Sequence, residues 1–266
     1  MKFSVFTSED LVYLPEVQPP TWSNLIPRFA KFIQDEHCHP IKLQLGHEMV
    51  GIGTTICHED SAWLACIIVH PEHRRKGLGQ MITQELLDSL DKNKYQTIYL
   101  VATDLGFPVY QKLGFIEEKK YLHYKNEGID YSYVPSIQTH FYDKSYREAI
   151  LQLDSELTCE NRMDTLMEHL PAAKLYFEAN KLTGYYLPTL GEGHILAATT
   201  VAGTELLKLK IKDSALYGFP EDNITAQDCV KSVGLQYHST SRRMFLGKKR
   251  NWNSECNYSR IGGHLG

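Results

Sequence analysis

No stretch of the 266-residue chain approaches the ~20 consecutive apolar residues that cross a bilayer. Met1 to Asp10 lacks a basic segment followed by an apolar one, so neither a membrane span nor a signal peptide is expected. Low-complexity tracts are absent too. An excess of positive charge is also missing. With 28 basic and 32 acidic residues the formal charge is −4, which excludes a general affinity for nucleic acid or anionic membrane. The run Lys248-Lys249-Arg250 is too short to alter that and reads as a solvated turn. The six cysteines, Cys38, Cys57, Cys66, Cys159, Cys229 and Cys256, have no paired spacing, so a disulfide framework is not expected and reduced thiols in a cytoplasmic protein are. No metal is expected either. In His37-Cys38-His39 neighbouring side chains would point to opposite faces of a strand, and His70 and His73 lack a companion cysteine or carboxylate cluster.

What is present is the composition of a globular protein, 42% hydrophobic and 23% charged, in a chain long enough for one large domain or two ordinary ones. Helical spacing of Trp22, Leu25, Ile26, Phe29 and Ile33 predicts a helix from Thr21 to Gln34, with Pro19-Pro20 and Thr21 as start signals. Ile41 to Leu45 and Val50 to Cys57 read as strands around a Gly46-His47 turn. Ser61 to Val69 is nearly all apolar, as a central strand covered on both faces would be. Gly77 to Leu90 reads as a helix, Thr97 to Ala102 as a buried strand, Phe107 to Lys112 as a short helix and Phe115 to Tyr124 as a strand or hairpin. Periodicity is lost between Lys125 and Thr139, which sets a boundary at about residue 130. Beyond it, Tyr142 to Leu157 and Arg162 to Leu170 read as helices. Lys174 to Asn180, Gly184 to Leu187 and His194 to Thr200 read as strands. A helix from Ala202 to Lys208, a strand from Asp213 to Tyr217, a helix from Ala226 to Val233 and a closing strand within Tyr237 to Leu246 complete the pattern.

The most informative segment runs from Ile67 to Met81. A buried strand ends at Ile67-Ile68-Val69, a basic linker Arg74-Arg75-Lys76 follows, and Gly77-Leu78-Gly79-Gln80 opens an amphipathic helix. Glycines permit a sharp turn and the close approach of a ligand, and the first amides of a helix point outward with the positive end of its dipole. A pyrophosphate fits there. A Walker loop is excluded because Gly-Lys-Ser/Thr is missing, and a dinucleotide fingerprint because Ile82 stands where the third glycine belongs.

Taken whole, Arg74-x-x-Gly77-x-Gly79 after a Val-x-Pro strand end resembles the acetyl-CoA signature of the GNAT N-acetyltransferase superfamily. The segment Ala102-Thr103-Asp104-Leu105-Gly106-Phe107-Pro108-Val109-Tyr110-Gln111-Lys112-Leu113-Gly114-Phe115 is similar to the later motif of a bacterial subgroup that carries a second GNAT-like domain. The resemblance implies an α+β fold of two tandem GNAT-like domains, 1–130 and a degenerate 131–266. Each would be a twisted, mostly antiparallel sheet flanked by helices, the first splayed at the CoA site. It implies that pantetheine lies along Ile67, Ile68 and Val69, that the pyrophosphate rests on the loop from Arg74, Arg75, Lys76 and Gly77 to Leu78, Gly79 and Gln80, and that Thr103 occupies a cofactor position often held by asparagine. Tyr110 would be the general acid as well as a cofactor neighbour, since a phenol is protonated at neutral pH and can donate to a departing thiolate. The glutamate base of many relatives has no counterpart in Ile98-Tyr99-Leu100-Val101, leaving Glu59, Asp60, Asp104 or a water chain for that task.

The second half repeats the later motif in weakened form, with Val230 at the position of Tyr110 and no Arg-x-x-Gly-x-Gly between Ala197 and Glu205, so weak or absent CoA binding is expected there. The resulting expectation is a transferase moving an acetyl group from acetyl-CoA to a primary amine, a small molecule first, by direct attack in a ternary complex. A tunnel between the domains would favour that acceptor and an open groove a protein lysine. A non-catalytic acyl-CoA-binding or sensing protein is the rival. The reading names acetyl-CoA, the amine and a homodimer as partners, with no nucleic acid and no membrane.

Overall fold

The computed structural model describes residues 1–20 and 22–266, and Thr21, the expected helix start, lies outside them. The chain divides into two compact units, Met1–Ile116 with Met244–Lys248, and Glu117–Arg243 with Lys249–Gly266. Both are mixed α+β, and no helix among the described residues is long and apolar enough to cross a membrane.

The first unit contains β1 (Lys2–Val5), α1 (Leu14–Val17), α2 (Ile26–Gln34), β2 (Cys38–Leu45), β3 (Glu48–Cys57), β4 (Ser61–Val69), α3 (Leu78–Asp88), β5 (Thr97–Ala102) and α4 (Phe107–Lys112). Helix α2 starts later than its apolar spacing suggests, with Pro27 in its first turn, where a missing amide hydrogen costs nothing. The sheet runs β1-β2-β3-β4-β5. The first four strands are antiparallel and β4 pairs β5 in parallel. As the apolar run of β4 requires, the strand is central and almost wholly buried, with Trp63 and Tyr99 rings 4.9 Å apart. Two glycines of β3 decide how closely α3 can lie on the sheet. A Cβ at Gly51 would stand 2.5 Å from Ile82 Cδ1, and one at Gly53 2.9 Å from both Ile82 Cγ2 and Leu86 Cδ1. Without them Ile82 and Leu86 settle onto the strand backbone and join Leu64, Leu78 and Leu100 in the core.

The second unit contains most of β6 (Ile116–Lys125), then β7 (Thr139–Phe141), α5 (Arg147–Thr158), α6 (Met163–Met167), β8 (Lys174–Glu178), β9 (Lys181–Leu187), β10 (His194–Ala197), α7 (Thr200–Asp213), β11 (Leu216–Pro220), α8 (Ile224–Ser232), most of β12 (Gln236–Gly247) and β13 (Asn257–Ser259). One antiparallel sheet is ordered β13-β10-β9-β8-β7, and β6 lies between β11 and β12. Two expectations need correction here. Asp213 ends α7 rather than starting a strand, because the helix runs on through Lys210, whose side chain is buried and donates to Ser259 Oγ (2.6 Å) and Gly193 O (3.3 Å). The strand within 237–246 does not close the second unit, since β13 follows it and residues 244–248 belong to the first.

A buried polar network braces this second unit. Arg162 donates to Asp154 through Nε (3.2 Å) and Nη2 (2.5 Å), and Tyr185 also donates to Asp154. His194 Nδ1 donates to Ser259 O (2.7 Å), so its Nε2 accepts from Arg162 Nη2 (3.1 Å) and the ring is neutral. Burial, then the Arg162 charge, holds His194 well below its ordinary pKa. Burial, then Arg260, lowers His123 to about 3. The unfolded chain takes protons onto both rings below about pH 6.5 while the folded chain refuses them. Stability is therefore present above that pH and falls as pH drops, by about 2 kcal/mol at pH 5 for His123, with His194 acting in the same direction. Thermal unfolding followed from pH 7.5 to 5 is expected to show this fall, with a shallower slope in His194→Gln. A flat profile would mean that the rings are not held neutral.

Candidate active site

The site grows out of the β4–β5 pair. Their parallel register joins Ser61 to Thr97, Ala62 to Ile98, Trp63 to Tyr99 and Leu64 to Leu100, and stops there. On its other side β4 continues with β3 to Val69, but through an irregularity opposite Gly53, between the pairs Thr54–Ala65 and Ile52–Ile68. At this bulge Cys66 takes a left-handed φ of 50°. An extra residue there bends the strand and increases its twist. The two parallel strands thus part at their carboxyl ends, and the β5-side main chain of 65–69 is left without a ladder. Ligands of open sheets containing parallel strands bind in such crevices.

Each parting strand feeds a helix. From β4 the chain passes a 3-10 turn, Pro71–His73, and enters α3 through Gly77, whose φ of 81° suits glycine. No side chain caps α3, so the amides of Leu78, Gly79 and Gln80 are left for a ligand. A Cβ at Gly79 would meet only Val69 Cγ2, at 3.8 Å. Of the three cations, Arg74 Nε folds back onto Val69 O (3.1 Å) and Lys76 Nζ onto Glu72 O (3.2 Å). These two hold the loop's shape. Arg75, exposed and with φ 60°, makes no side-chain hydrogen bond or ion pair among the described residues and is the cation able to turn to an anion.

From β5 the chain turns through Thr103 to Gly106 into α4. Thr103 is exposed and its carbonyl accepts from Gly106 N and Phe107 N (3.1 and 2.9 Å), which fixes the head of the helix. Tyr110 is buried in α4, its ring 6.1 Å from Phe115 and lying over Gly106, where a Cβ would come within 2.8 Å of Tyr110 Cε2. Burial, and next the charge Cys66 would carry as thiolate, push the phenol well above its ordinary pKa, so Tyr110 is protonated at any physiological pH.

This arrangement has counterparts. Residues 11–132 match the model of the acetyltransferase (GNAT) domain family. That stretch is a GNAT domain. Curated relatives include the [ribosomal protein bS18]-alanine N-acetyltransferases of Salmonella typhimurium (strain LT2), 31% identical over 87 residues, and of Escherichia coli (strain K12), 30% identical over 87 residues. Each alignment covers 32% of this chain and 59% of the relative, so the chain spans about three fifths of the curated relatives it matches. Among solved structures, a provisionally named acetyltransferase from Pyrococcus horikoshii superposes over 100% of this chain and 95% of its own, with TM-score 0.83 and 19% identity. A GCN5-related N-acetyltransferase from Sphaerobacter thermophilus covers 92% and 95%, with TM-score 0.61 and 10% identity. These two likenesses concern the fold along the whole chain.

Within the GNAT domain, the residues expected around the cosubstrate fall on β4, on α3 and α4, and in the turns that lead into those two helices. The candidate bases separate. Glu59 and Asp60 stand at the opening end of β4, about 20 Å from Cys66 at ~3.3 Å per residue, whereas Asp104 lies in the turn after β5. His37-Cys38-His39 is not a cluster: Cys38 is buried, its thiol pushed up first by burial and then by Asp35, and His39 is exposed. Sequence reasoning missed Gly51, Gly53 and Cys66. A glycine pair two apart facing a helix is a legible signal, but a left-handed cysteine inside an apolar strand has none. It also missed Glu48, which joins the two histidines that had seemed to lack a carboxylate.

The equivalent place in the second unit is differently filled. Thr199 caps α7 by accepting from Ala202 N (3.2 Å), and its hydroxyl donates to Glu178. A Cβ at Gly203 would fall 2.1 Å from the Tyr258 ring, which packs on that first turn.

Proposed function

We propose that the GNAT domain transfers an acetyl group from acetyl-CoA to a primary amine, a small molecule first, by direct attack in a ternary complex. The observation that carries this is the parting of β4 from β5 beyond Leu64 and Leu100, between the free helix amides on one side and a protonated phenol on the other. A GNAT domain implies acetyl-CoA as cosubstrate. Its pyrophosphate would take the amides of Leu78 to Gln80 with Arg75 beside it, and its pantetheine the unladdered main chain of Ile67 to Val69. The amine nitrogen then attacks the thioester carbon, the C–S bond breaks, and the thiolate takes its proton from Tyr110 Oη. The proton lost by the amine passes to water, and Tyr110 is reprotonated from solvent. Fixing both reactants in this crevice supplies much of the rate gain.

For the second unit we infer no CoA binding. Its helix start is already satisfied by Thr199, with the Glu178 carboxylate where an anion would sit and Tyr258 over the first turn. An alanine of a ribosomal protein, the acceptor named for the curated relatives, is a second acceptor to be tried.

Acetyl-CoA titrated calorimetrically into the protein is expected to bind at one site per chain. A panel of small amines, lysine peptides and alanine-initiated peptides should then give thiol release with at least one. Failure to bind acetyl-CoA by folded protein would overturn the proposal. Binding with no turnover on any amine would favour the acyl-CoA-binding rival.

A further inference from the structure

We propose that Glu48, His70 and His73 form a site for a divalent transition-metal ion, zinc first, on the turn that leads into the phosphate loop. The three residues come from two segments brought together by strand pairing. His70 N donates to Val50 O (2.9 Å), which sets the end of β4 beside the start of β3, where Glu48 stands. The chain then makes a single 3-10 turn, with His73 N donating to His70 O (2.9 Å). Three residues per turn bring side chains at i and i+3 to the same side, so His73 lies beside His70, their rings edge to face with centroids 5.6 Å apart. His73 Nε2 reaches Glu48 Oε1 at 2.9 Å. One ligand atom from each of the three residues lies within 4.8 Å of the others.

Two imidazoles and one carboxylate form a donor set that suits zinc and its neighbours in the first row. Ligands at about 2.0–2.2 Å in a tetrahedron stand roughly 3.4 Å apart. The histidine–glutamate pair is already at that range, and rotation of the half-buried His70 ring closes the rest. The contact at stake is a long one, from Glu72 N to His70 Nδ1 at 3.3 Å. Glu48 is exposed, so the remaining coordination positions are open to water. A bound ion would tie β3 to the turn between Val69 and Arg74, and so stiffen the entry to the loop. None of its three ligands belongs to the machinery proposed for acetyl transfer, and the site stands or falls independently of that reaction.

The test uses tag-free full-length protein, first stripped with chelator, and titrates zinc by calorimetry and cobalt by absorption. One zinc per chain at micromolar Kd or tighter is expected, with a rise in thermal midpoint and a cobalt visible band free of thiolate charge transfer. His73→Ala and Glu48→Gln should each weaken zinc binding about 10-fold or more while leaving the metal-free midpoint close to that of the wild type. Should a variant be destabilised, cobalt spectra at a temperature where it is folded decide. Equal zinc affinity in wild type and both variants would overturn the site, as would a cobalt spectrum dominated by thiolate charge transfer, since the ion would then sit on cysteine.

Discussion

Gly79→Glu is expected to lower the affinity for acetyl-CoA about 10³-fold without loss of stability. The amides of Leu78, Gly79 and Gln80 face outward at the uncapped start of α3. A pyrophosphate accepting from them makes charge-assisted bonds, each worth roughly 1.5–3 kcal/mol, and two lost bonds correspond to about three orders of magnitude. A glutamate in that first turn brings a competing negative charge and a side chain into the space a ligand needs. The fold has no reason to object. The new Cβ would be at ordinary contact distance, 3.8 Å, from Val69 Cγ2. Replacing glycine inside a helix gains up to about 1 kcal/mol, and an acid near a helix N-terminus gains a further 0.3–1. Calorimetry should therefore show lost binding alongside an unchanged or raised thermal midpoint. Unaltered affinity would remove the loop from the binding site.

Tyr110→Phe should divide binding from chemistry. General acid catalysis is worth about 10²–10⁴ in rate, so kcat is expected to fall by at least 10² while the affinity for acetyl-CoA stays within a few-fold. The substitution deletes one oxygen and keeps the ring that packs on Phe115 and Gly106. The hydroxyl has no protein partner among the described residues, so nothing in the core is left unpaired by its removal. Steady-state kinetics with the best amine of the panel, together with the thermal midpoint, make the measurement. A kcat within three-fold of the wild type would return Tyr110 to the rank of a core aromatic among the chain's 16 tyrosines.

Both predictions rest on residues legible before any coordinates. β4, β5 and α4 occupy Ser61–Val69, Thr97–Ala102 and Phe107–Lys112, the limits expected from the sequence, with Pro71 stopping the first. Such elements are decided by their own composition, since a wholly apolar run has nowhere to go but the centre of a sheet. The glycines after the basic run likewise declare a helix start that a ligand can approach.

What tertiary structure alone decided is where paired elements separate and which distant residues meet. The ladder between β4 and β5 ends after Leu64 and Leu100 because Cys66 bulges opposite Gly53, a matter of register between strands that neither strand's composition reveals. Glu48 meets His70 and His73 through the β3–β4 pairing, across more than twenty residues of chain, so two histidines without a local carboxylate gain one from a neighbouring strand. Lys210 shows the same point for a cation. Its charge says surface, yet Ser259 and Gly193 satisfy it inside, and burial lowers its pKa to about 7. Local sequence determines what a segment prefers to be. The partners that make a cation, a glycine or a histidine useful arrive from elsewhere in the chain, and only the folded molecule brings them together.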